Sequence, residues 1–209
     1  MGTPRHGQPL PPEFLEWQVA LRLWTMEQQH GAPHVGVAPL VVVGAPGVGP
    51  GASVHSIICG LLPRADALAE KTKEFRELYE GGVGEGARAV YDRGIEYLKR
   101  YYAVADGFDR ASVTTLLADD SPVVRALRAE PRCALVFYIF DLRERGELGK
   151  LRCLQLCCRA EVLADGPVFE NVWWHNTLFH GKAEDHVVVH FRHEETWDTR
   201  FGRFDRVAV

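Results

Sequence analysis

The sequence predicts an α+β protein, mainly β: a six-stranded closed barrel with helices in its connections. Three observations predict it. Runs of strand length rich in Val, Ile and Leu, bounded by Gly and Pro, recur in both halves of the chain. Between them lies a stretch with helical spacing: Leu68, Phe75 and Leu78 share one stripe, and Val90, Ile95 and Leu98 the next. From Pro131 onward strand patterns dominate, and six strands with helical connections close most simply as a barrel. The 209 residues suit a single domain, expected over 12–209 behind a disordered arm at 1–11. With 46% of residues apolar, the chain can build a core without a metal or disulfide.

In order along the chain, Pro12 to Val19 reads as a short helix with Phe14, Leu15 and Val19 on one side. Ala20 to Gln28 reads as the first strand, His30-Gly31-Ala32-Pro33 as a turn, and His34 to Val43 as the second strand. Gly44 to Gly51 is a loop with four Gly and two Pro. It does not cradle a nucleotide, because it ends in Gly-Ala-Ser and not Gly-Lys-Ser/Thr. Ser53 to Leu62 is the third strand, which Pro63 breaks. Ala65 to Tyr79 is helical and Gly81-Gly82 ends it. Gly86 to Ala105 is a second helix. Ser121-Pro122 starts another helix, with Ser as N-cap and Pro at the first position, and it stops before Pro131. Arg132 to Asp141 and Leu151 to Leu163 are strands around a charged loop at Arg143 to Lys150. Phe169 to Phe179 is a short aromatic helix, and Asp185 to His193 the last strand.

The net charge of −4 gives no electrostatic case for nucleic acid. No apolar run approaches the ~20 residues of a membrane span, and Met1 to Pro12 has no hydrophobic stretch. The expected location is cytoplasmic. Cys59, Cys133, Cys153, Cys157 and Cys158 are an odd set, mostly within apolar runs, and read as buried free thiols. His175 and His180 flank the aromatic helix; His186 and His190 face one way on the next strand and His193 the other. Such a group suits a metal or haem iron, but its spacing matches no zinc motif, and no metal site is assigned. No Ser-His-Asp or Cys-His arrangement is present, so no catalytic residue is assigned. Phe169, Trp173, Trp174 and Phe179 read as core or dimer interface.

Several segments in fixed order carry a resemblance. His30-Gly31-Ala32-Pro33-His34 opens a strand, Lys71-Thr72 follows the third strand, and Arg125 to Pro131 precedes the fourth. Arg159-Ala160-Glu161-Val162 ends the fifth strand and Trp197 lies near the C-terminus. This order resembles the pyridoxamine 5'-phosphate oxidase-like split barrels. The resemblance implies a six-stranded split β-barrel, a homodimer with FMN between its subunits, and oxidoreduction of a small-molecule substrate. It assigns the flavin phosphate to Lys71, Thr72 and Arg64, cations being suited to charge-assisted hydrogen bonds. The ring would lie near Thr25, His34 and Val35, with Gln155, Trp197 and Arg200 contributed by the partner subunit.

The chain departs from the family pattern in a helical insertion at about 79–120, between the Lys71 helix and the Arg125 helix, and at Leu62-Pro63-Arg64, where relatives commonly show Thr or Ser. It also carries Cys158 where a Gly usually precedes Arg-Ala-Glu, and it lacks a clear Arg-x-His segment after Trp197. The competing reading of Lys71 is a solvated helix face, since Lys73, Arg76 and two Glu lie beside it. That of Trp197 is packing. Two other classes stand beside the flavin enzyme, with deazaflavin F420 as a variant cofactor. One is a haem-binding or haem-degrading barrel using His175, His180 or His193. The other is a non-catalytic barrel that binds a partner through Tyr97, Tyr101 and Tyr102.

Overall fold

The structure, a computed structural model, describes residues 7–27, 40–43, 53–104, 106–139, 152–200 and 203–206. The expected turn at His30 to Pro33, His34 and Val35, and the loops at 44–51 and 143–150 lie outside the described residues.

A single helix, α1 (Pro12–Glu27), replaces the expected short helix and first strand. Its buried residues Phe14, Gln18, Leu21, Arg22 and Met26 follow helical spacing. Two of them are polar, which hides the stripe from a hydrophobicity pattern. The ring of Phe14 meets Phe137 edge-on at 4.8 Å. Of the expected disordered arm, Gln8 donates its N–H to the His193 carbonyl and Leu10 is buried.

The strands are β1 (Leu40–Val43), β2 (Ser53–Ser56), β3 (Ser112–Ala118), β4 (Arg132–Ile139), β5 (Arg152–Leu163), β6 (His186–Arg200) and β7 (Arg203–Arg206). They form one antiparallel sheet in the order β2-β1-β4-β5-β6-β3, with β7 on β6. The chain beyond β2 reaches the other end of this order: Gly60 and Thr114 of β3 exchange both backbone hydrogen bonds, at 2.6 and 2.9 Å. β3 corrects the expectation of a purely helical insertion. Val113, Thr114 and Thr115 are buried in consecutive positions, so neither alternation nor an apolar run marked them as a strand.

The helices are α2 (Leu68–Gly82), α3 (Ala87–Tyr102), α4 (Pro122–Ala129) and α5 (Gly166–His180). The Ser121 hydroxyl caps α4 by accepting from the Val124 N–H, with Pro122 next in line. α3 approaches α5 at Gly94, where a Cβ would stand 3.1 Å from the Phe179 ring. One apolar cluster joins Phe14, Phe75, Tyr102, Leu135, Leu154 and Phe191, so helices and sheet share a core. Among the described residues no helix is long and apolar enough to cross a membrane.

Candidate functional site

The β5–β6 ladder sets which side chains face outward. Leu154, Leu156, Cys158 and Ala160 of β5 are buried, and their partners on β6 face the same way. Near Cys157/Cys158 the register shifts: Cys157 pairs Glu195 while Cys158 pairs His193, leaving Glu194 as the extra residue of a bulge. The shift reverses the parity of β6. Val187, Val189, Phe191 and His193 are buried before it, Thr196 and Asp198 after it. Trp197 is thereby turned outward beside Gln155. A row results in direct register across four strands: Val136, Gln155, Trp197 and Arg206. The first three are half-buried and Arg206 is exposed, ion-paired to Glu195 at 2.6 Å. Two residues assigned by resemblance alone are thus neighbours. Arg200 pairs Arg203 in register, and Arg206, unassigned from sequence, is the cation beside Trp197.

The residues assigned to a phosphate lie elsewhere and do not converge on an open anion site. Lys71 is held by Glu74, with Nζ 2.8 Å from Oε2 and 3.1 Å from Oε1. Glu74 also accepts from the Tyr97 hydroxyl. Burial raises the Glu74 carboxyl, but the hydrogen bonds from Lys71 and Tyr97 outweigh it and hold it below the usual carboxylate range. Tyr97 is pushed up by burial and by Glu74. The Lys71 N–H already bonds the Ala67 carbonyl, so it is not one of the unsatisfied donors of the helix start. The Thr72 hydroxyl donates to the Leu68 carbonyl at 2.7 Å and accepts from Asn171 Nδ2 at 3.0 Å. Arg64 is exposed and forked onto Asp66 at 3.2 and 2.9 Å, beside a hollow whose rim adds Asp106 and Asp109. Thr25 lies in α1, away from the strand the sequence suggested.

A cavity of about 430 Å³ lies between the chain following β2, β3, and helices α1, α2, α3 and α5. Its polar wall is one face of α5, carrying Asn171, His175, Asn176 and His180. Arg22 of α1 also lines the cavity, 3% exposed, and its Nη2 donates to the Cys59 carbonyl. Its guanidinium sits 5.3 Å from the Tyr102 ring. No Asp or Glu is among the described residues that line the cavity. Of these polar groups, sequence reasoning named only the two histidines. The Asn171–His175–Asn176–His180 spacing, and a lone Arg22 in the apolar run Ala20 to Trp24, were the available signals.

All five cysteines are free. Burial pushes the Cys133 thiol up to about 12 and raises the other four, so they stay protonated at neutral pH. His193 is fully buried, with Nδ1 2.9 Å from the Gln8 carbonyl and Nε2 2.7 Å from the Thr196 hydroxyl. Both nitrogens are engaged, which removes it from the histidines suited to iron. Among the described residues no three His, Cys, Asp or Glu gather as a metal-binding group.

No family model and no curated protein matches the chain. Solved structures do. A proposed pyridoxamine 5'-phosphate oxidase from Listeria innocua is 11% identical with a TM-score of 0.43, over 87% of this chain and 97% of that one. A protein of the pyridoxinephosphate oxidase family from Clostridium acetobutylicum, related to general stress protein 26 of B. subtilis, is 11% identical at a TM-score of 0.43, over 96% and 97%. A haem-binding protein from Mycobacterium smegmatis is 13% identical at 0.44, over 91% of this chain and 57% of that one. All three likenesses are at 13% identity or less and at TM-scores below 0.5.

Proposed function

We propose that two copies of this chain form a split-barrel homodimer in the cytoplasm that binds FMN and carries out flavin-dependent oxidoreduction of a small molecule. The observation that carries the reading is the outward row of Val136, Gln155, Trp197 and Arg206. It offers a half-buried aromatic surface with an amide beside it, which suits a flat, polar-edged ring. The six-stranded ring in this reading is supported by the strand order and by the Gly60–Thr114 hydrogen bonds that link its two ends.

The fit is divided. Gln155 and Trp197 suit a ring contact. Lys71, Thr72 and Arg64 do not fit a phosphate as they stand, because each already has a partner within the chain. A phosphate on Lys71 requires that Glu74 give way. The redox chemistry belongs to the flavin.

A second reading, haem binding, is favoured by one observation: His175 and His180 both line the cavity. The absorbance spectrum of freshly purified protein separates the two. Flavin bands near the usual ~370 and ~450 nm, or their recovery on adding FMN, are expected. A sharp Soret band moves the assignment to haem and the α5 histidines. F420 in place of FMN is recognised by its own spectrum in the same titration. A colourless protein that takes up none of the three leaves a non-catalytic binding barrel.

A further inference from the structure

We propose that the cavity between β3 and α5 is a binding site, within each chain, for a small aromatic carboxylate. Neither Gln155 nor Trp197 lines it, so it stands apart from the row proposed for the flavin.

Three features of the wall select that chemistry. The volume of about 430 Å³ lies in the range of small-molecule sites. The apolar part of the lining, including Ile57, Phe75, Leu116 and Val172, suits a flat hydrocarbon body. The polar part is made of one guanidinium, two imidazoles, two amides and four hydroxyls, with no carboxylate among the described lining residues. A lining that holds a guanidinium and no described carboxylate favours an anion over a cation. The contrast with the second hollow is direct, since three aspartates surround Arg64 and Arg110 there.

The wall is also held in place. Asn171 is fixed by Thr72, and Arg22 by the Cys59 carbonyl and the Tyr102 ring. The His175 ring lies 5.1 Å from Phe75 and 5.7 Å from Phe179. A site whose polar groups are already positioned loses less on binding.

The test is calorimetric titration of the flavin-free protein with 2-naphthoate and with 2-naphthalenemethanol, its uncharged analogue. Saturable binding of the acid, about tenfold or more tighter than the alcohol, is expected. Asn176→Asp places a carboxylate in the wall with almost no change of shape. It should weaken the acid about tenfold and leave the alcohol unchanged. His180→Glu introduces the same charge at the exposed rim, and thermal melting checks that each variant is folded. Equal affinities for acid and alcohol, binding of neither, or acid binding indifferent to both added charges overturn the proposal. None of these outcomes bears on the flavin reading, which is measured at Trp197.

Discussion

Helices α2 and α5 lie against each other, yet their polar groups are handled in opposite ways. On α2 the cations come with carboxylates: Lys71 with Glu74 at 2.8 Å, Lys73 with Glu77 at 3.6 Å, and Arg76 with Glu170 at 4.0 Å. On the cavity face of α5, Asn171, His175, Asn176 and His180 look into a lining without a carboxylate. A cation with a carboxylate beside it is already paired before any ligand arrives. Polar groups set in an apolar wall are the usual means by which a small-molecule site orients its ligand. Position in a family-like segment favoured α2 for an anion, while local chemistry favours the region around α5.

The largest effect is expected where the two regions meet. Phe75 is 1% exposed, with its ring 5.4 Å from Tyr97 on one side and 5.1 Å from His175 on the other. Phe75→Ala should cost about 3–5 kcal/mol in denaturant unfolding and loosen both networks together. A loss near zero would show that the contact is not a shared support.

Thr72→Val sharpens the comparison by removing only a hydroxyl. It leaves the buried Asn171 amide without its 3.0 Å acceptor, at a cost of about 1–3 kcal/mol. If Thr72 does not support Asn171, the loss is negligible, because the hydroxyl then bonds only the Leu68 carbonyl of its own helix.

The smallest stability effect is expected for Glu74→Gln, below about 1 kcal/mol, since the pair is partly exposed. Its sign follows from the depressed Glu74 carboxyl. The contribution is present above the unfolded carboxylate range and is lost as pH falls through the folded value. The variant should therefore lose less stability on acidification than the wild type. The same variant asks whether Lys71 serves a flavin phosphate. Releasing Lys71 should then tighten FMN, and an unchanged affinity assigns Lys71 to the helix surface.

The sequence made some elements plain and concealed others for physical reasons. The Ser121-Pro122 helix start was legible because capping chemistry is local. β5 was legible because alternate residues are buried. Helix α1 was read as a strand over Ala20 to Gln28 because its buried face includes Gln18 and Arg22. Those polar residues are explained only by a fold that places Arg22 against the Cys59 carbonyl and Tyr102. β3 was missed because its partner β6 is remote in the chain and its buried residues include Thr114 and Thr115. For the site, Gln155 and Trp197 were named by resemblance, but their adjacency depends on a one-residue bulge at Glu194. Arg206 beside them, and the cavity wall on α5, depend on strand and helix pairing that no local pattern encodes.

The measurement that bears most directly on the central claim is a fluorescence titration of FMN into the wild-type protein and into Trp197→Ala. Saturable binding to the wild type, weakened about tenfold or more in the variant, is the predicted result. Absence of saturable FMN binding, or an affinity that Trp197→Ala leaves unchanged, would contradict a flavin resting on the Gln155–Trp197 row.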